Sequence, residues 1–169
     1  MFFTVYRTST TGSFGYVAYD GTRELFHIGS SVMWDPEVTI SCENGRYNFR
    51  STYDRETTLI PGITARNIHN ASGSLAAVLR FEEDWKYSFL CPGKAYRMEE
   101  IRGEYLAFDG NRCVFSMKRA ERRGIVPAVV SSEYIGQDVE AYFEVSAEED
   151  LPLPTVALFT AFPLLRFDR

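Results

Sequence analysis

Lys118-Arg119-Ala120-Glu121-Arg122-Arg123 is the densest run of charge in this 169-residue chain. With Arg112 it gathers five basic side chains and one acidic one between residues 112 and 123. Clustered cations attract an anionic headgroup by about 1 kcal/mol each near a charged surface. The same side chains at a strand end also discourage edge-to-edge pairing, and a charge run is commonly a solvated turn. Arg112, Lys118, Arg119, Arg122 and Arg123 therefore form the candidate anionic-ligand patch, with a solvated turn as the competing reading.

The other chemistry-bearing residues do not assemble into a recognisable site. Carboxylates occur as Asp54-Arg55-Glu56, Glu82-Glu83-Asp84 and Glu99-Glu100. Acid–base catalysis needs two carboxylates in one cleft with separated pKa values, and neighbours on a strand point to opposite faces. The ordered spacing of a calcium loop is absent as well. No GxSxG, no HExxH and no Gly-rich phosphate loop ahead of a helix occurs. Cys42, Cys91 and Cys113 are far apart and include no CxxC pair, which predicts three reduced thiols packed as small hydrophobes, with no metal and no cofactor. His27 and His69 read as packed or surface histidines, although a Cys–His pair formed in space stays open. Trp34, Trp85, Tyr87 and Phe89 could line a pocket, but such aromatics more often belong to a core or a barrel rim.

The formal charge of −5 and pI of about 5.1 come without a basic half, which argues against nucleic acid as a partner. The opening residues MFFTVYRTSTTG lack the charged and apolar regions of a signal peptide. No run reaches the roughly 18–20 apolar residues of a membrane span. A cytoplasmic protein with no transmembrane segment is the expectation; the oligomeric state is not indicated.

The elements that must position these residues are strands. Turn signals recur at Asp20-Gly21, Asn44-Gly45, Ser72-Gly73, Pro92-Gly93 and Asp109-Gly110, pairs that tolerate the positive φ of tight hairpins. Between them, apolar residues alternate with period two. Val38, Ile40 and Cys42 form one such face; Leu75, Ala77, Leu79 and Phe81 a second; Cys113, Phe115 and Met117 a third; Val139, Ala141, Phe143 and Val145 a fourth. Many short one-sided strands without a linker predict one mainly β domain over 1–169, a sandwich or a barrel.

Leu151 to Phe167 breaks this pattern. It is apolar on nearly every side, and a helix of that kind must be buried. Glu148-Glu149-Asp150 would complement the positive end of its dipole, and Pro152 and Pro154 suit a first turn. A core helix is predicted near 153–166, carrying Leu153, Val156, Phe159 and Phe162, with its regular part ended near Phe162 by Pro163. One such helix after about a dozen strands predicts a closed antiparallel β-barrel around its own C-terminal helix.

This pattern resembles the tubby C-terminal-like superfamily, in particular the LURP-one-related proteins. The resembling segments run from Arg66 to Val78, through Gly103–Gly110 with Val114–Lys118, and into the closing helix. The resemblance implies a twelve-stranded barrel threaded by a buried helix. Members of that superfamily bind phosphoinositides, and phospholipid scramblases share the barrel. No phosphoinositide-binding residue matches here, and the acidic balance and Pro163 are departures. The expected function is non-enzymatic binding or scaffolding through the barrel surface, with anionic phospholipid or a protein as partner. The alternatives are a calycin-type small-ligand carrier, whose helix would pack outside an open barrel, and an enzyme with a rim-cleft site.

Overall fold

The computed structural model describes residues 1–10, 13–31, 38–42, 47–53, 65–82, 86–121 and 126–165. Twelve strands follow one another around a closed antiparallel barrel. They are β1 (Phe2–Thr10), β2 (Ser13–Asp20), β3 (Arg23–Ser31), β4 (Val38–Cys42), β5 (Tyr47–Tyr53), β6 (Ala65–Asn70), β7 (Leu75–Phe81), β8 (Lys86–Cys91), β9 (Lys94–Ile101), β10 (Glu104–Asp109), β11 (Arg112–Arg119) and β12 (Asp138–Ala147). Each pairs with its sequence neighbours, and β1 closes the ring against β12 from Phe2↔Ser146 to Ser9↔Asp138. Closure leaves no edge strand among the described residues. The hairpins follow the turn chemistry: Gly21 and Gly110 take φ of 59° and 61°, in the left-handed region where a Cβ is penalised.

Inside the ring lies the predicted helix. It comprises α2 (Leu153–Thr160) and a final turn, α3 (Phe162–Leu165); α1 (Ala128–Glu133) lies on the outside, between β11 and β12. Phe159 packs against Phe89, Tyr96 and Phe115 at ring separations of 5.5, 5.1 and 5.4 Å. Phe162 packs against Tyr87 and Tyr105 at 4.8 and 5.8 Å. On the opposite wall, β3 and β4 touch α2. Val156, Phe159 and Phe162 are fully buried and Leu153 is partly buried. Together with the inward faces of the strands they make one continuous apolar core, so the helix is the filling of the barrel. Among the described residues no helix is long and apolar enough to cross a membrane.

Several details depart from the sequence reading. The regular helix stops at Thr160, earlier than Phe162, and the chain turns once more through Pro163, with Leu164 and Leu165 both donating to the Ala161 carbonyl. No acid lies in the first turn of α2, where Pro152 is the N-cap; Glu148 instead reaches Arg112 at 3.3 Å. β-Bulges break three of the predicted apolar faces. At Tyr142 the register of β12 slips, Phe143 stays inside, and Ala141 turns outward. There Ala141 joins Tyr6, Val17, Tyr19, Ala120 and Val130 in a second, outer cluster beneath α1. A bulge at Ala76 leaves Leu75 exposed, and one at Val114 leaves Cys113 exposed. Only Cys42 of the three thiols is buried, so the expectation of three packed cysteines fails at Cys113.

Candidate rim site

The barrel has two unlike ends. Short turns such as Gly21-Thr22 and Gly110-Asn111 close one end, where α2 enters. The helix advances to the other end, where Leu165 sits. Arg66, on the inward side of β6, is 1% exposed there. Its Nε donates to Ser51 Oγ at 2.5 Å and its Nη1 to the Leu165 carbonyl at 3.5 Å. A cation at the last carbonyls of a helix complements the dipole. This role was not apparent from the segment ARNIHN, although Arg66 shares the period-two phase of Ile68.

The predicted cation patch is divided by its own strand. Arg112 begins β11 and Arg119 ends it, so Arg112 stands about 20 Å from Lys118 at the usual rise per residue. Arg112 faces Asp109 at 3.8 Å and Glu148 at 3.3 Å. Lys118 faces outward to Glu144 at 3.8 Å. Arg122 and Arg123 lie outside the described residues. Arg119 differs from these: it pairs in register with Phe143 on the inner face, and its Cζ stands 3.6 Å from the ring centre of Tyr142.

A second guanidinium reaches the same ring. Arg7 continues the inward phase of Phe3 and Val5 along β1, and its Cζ lies 5.3 Å from the Tyr142 ring and 5.5 Å from that of Phe14. Tyr142 is the extra residue of the β12 bulge. Freed from strict alternation, it stacks on Tyr16 at 5.5 Å and meets Phe143 edge-on at 4.7 Å. Burial raises the pKa of the Tyr16 phenol, helped by Tyr142 and opposed by Arg7 and Arg119. The two arginines therefore share one aromatic rim, and among the described residues neither is ion-paired to a carboxylate. Arg7 was missed in sequence because Tyr142, the ring it shares with Arg119, lies far along the chain on β12.

A concavity of about 450 Å³ opens beside Arg7, lined also by Ser9, Asp138, Val139 and Glu140. A second, of about 680 Å³, lies elsewhere, against β4, β5 and β6; the register sets Thr39, Arg50 and His69 side by side there.

The remaining candidates stay apart. His27 is half-buried on the outer face, 6.5 Å from the Tyr134 ring; burial lowers its pKa while Glu24 opposes the shift. It pairs with Ser41, so its neighbour in sequence, Phe26, is the residue opposite Cys42 on the inner face. That register separates His27 from Cys42 by the sheet itself. Tyr87 and Phe89 are core residues against Phe162; Trp34 and Trp85 lie outside the described residues, as do Asn44-Gly45, Asp54-Arg55-Glu56 and Glu83-Asp84. Glu99 pairs with Arg97 at 2.9 Å. Among the described residues no group of three metal-ligating side chains forms. No family model, curated protein or solved structure matches the chain.

Proposed function

We propose that this protein is a non-enzymatic binding protein of the tubby-like kind, which recognises an anionic group, such as that of a phospholipid, at the rim of its barrel. The observation that carries the reading is the sharing of Tyr142 by Arg7 and Arg119. A guanidinium held over an aromatic face keeps its N–H donors in its own plane, directed away from the ring and free to form paired bonds to an oxyanion. The twelve-stranded barrel filled by its terminal helix is the architecture that the family resemblance implies. Filling also favours the rim over a lumen, since Phe159 and Phe162 occupy the space that a carrier would keep open.

Sedimentation with phosphatidylglycerol vesicles tests this. The wild-type chain sediments, and Arg7→Gln and Arg119→Gln each reduce the bound fraction severalfold, whereas Arg112→Gln at the far end changes it little. Equal sedimentation of all four proteins removes the rim from the account. No sedimentation of any of them removes the lipid.

A further inference from the structure

The concavity next to Arg7 is bipolar. Arg7 pairs in register with Glu140, and Ser9 with Asp138, so these four side chains share one face. Directly paired residues hold their Cβ atoms about 5 Å apart, and successive pairs on a face are about 7 Å apart along the strand. An arginine directly opposite a glutamate would ordinarily close an ion pair. Here the guanidinium turns onto Tyr142 and Phe14 instead. The carboxylates of Asp138 and Glu140 accept no hydrogen bond and form no ion pair among the described residues. Opposite charges thus face one open space of about 450 Å³ without neutralising each other.

We propose that this space takes a small zwitterion: a phosphate carried next to a primary ammonium, as in a phosphorylated amino alcohol, free or as a lipid headgroup. The assignment rests on the rim reading above and names its ligand. The phosphate meets Arg7, which lines the space, and Arg119, which lies outside its lining but against the same Tyr142 ring; guanidinium forks bind phosphate oxygens in pairs. The ammonium lies against Asp138 and Glu140, and the Ser9 hydroxyl completes the polar lining. Selectivity follows from the charges that a simpler ligand would leave unanswered. A bare phosphate faces two carboxylates and a bare amine faces two guanidiniums, and each repulsion disfavours the wrong ligand.

Calorimetric titration of the full chain with O-phosphoethanolamine, ethyl phosphate and ethanolamine tests the assignment. Parallel sedimentation uses phosphatidylcholine vesicles with and without phosphatidylethanolamine. O-Phosphoethanolamine binds at least tenfold tighter than ethyl phosphate, and ethanolamine is weakest. Asp138→Asn with Glu140→Gln erases that preference while ethyl phosphate binds as well or better. Arg7→Gln weakens both phosphates, and Arg119→Gln repeats the result should the first variant melt early. Binding of phosphatidylethanolamine vesicles without binding of the soluble compound supports the zwitterion and makes the lipid its source; the reverse supports the free metabolite.

Equal affinity for the two phosphates, both strengthened by the neutralised carboxylates, overturns the zwitterion and leaves an oxyanion rim. Absence of binding to every soluble compound and every vesicle, phosphatidylglycerol included, overturns the rim reading itself.

Discussion

The Arg66 guanidinium reaches the carbonyl of Leu165, so the wall of the barrel bonds to the last turn of the helix inside it. Arg66 Nε also holds Ser51 Oγ on the neighbouring strand. A buried cation is kept only when its donors are used, and removing one partner leaves the other desolvated and unbonded.

The pair of Arg66 and Ser51 should therefore behave as a unit. Arg66→Met destabilises by about 3 kcal/mol and Ser51→Ala by about 1–2 kcal/mol, from the cost of stranded buried polar groups. The double variant loses less than the sum, a coupling of about 1 kcal/mol or more in urea unfolding. Strict additivity would mean that the bond carries no weight.

The aromatic centre of the barrel makes a stronger claim. Phe159 is fully buried and touches rings from β8, β9 and β11. Phe159→Ala removes those contacts and leaves a cavity, at a cost of about 3–5 kcal/mol. That is a large part of the roughly 5–15 kcal/mol by which domains are stable. The unfolding midpoint falls accordingly; a shift below 1 kcal/mol would place Phe159 elsewhere than the core.

Tyrosines that are buried or partly buried should lower stability at alkaline pH. Burial, then the charge and hydrogen bond of Glu24, push Tyr19 up to about 12 from its ordinary 10.0. Tyr134 and Tyr16 are raised as well, chiefly by burial. Between these values the native state holds protons that the unfolded chain has released, so stability falls as pH rises. Their contribution is complete below pH 10, and that of Tyr19 is lost through about pH 12. Burial raises the Cys91 thiol above its ordinary 9.0 as well, so urea midpoints should be level from about pH 7.5 to 8.5, ease slightly above that and decline steeply beyond pH 10; a midpoint unchanged at pH 11.5 contradicts the assignment.

How much of this was written in the sequence depends on the kind of signal. The helix was legible because LPLPTVALFTAF has no polar face to give to water. The barrel was legible through turn glycines and alternation, as in Val38, Ile40 and Cys42. Bulges were not. One extra residue at Ala76, Val114 or Tyr142 reverses the faces that follow it, yet each reads as another residue of its strand. The rim site depended on such a reversal, because Tyr142 reaches Arg7 and Arg119 only by leaving the alternation of β12. Arg7 carried a usable signal in its shared phase with Phe3 and Val5, where a cation on an otherwise inward face marks a barrel mouth. The basic run on β11 was visible as charge, but its carboxylate partners depend on register: Glu144 meets Lys118 only when β12 is laid beside β11.

Hydrogen exchange followed by mass spectrometry on the intact chain tests the enclosed helix most directly. If α2 fills the barrel, its amides exchange only when the barrel opens, and the peptide covering 156–162 is protected as strongly as those from β8 to β11. Exchange of that peptide orders of magnitude faster, while the strands stay protected, would contradict the account by placing the helix outside.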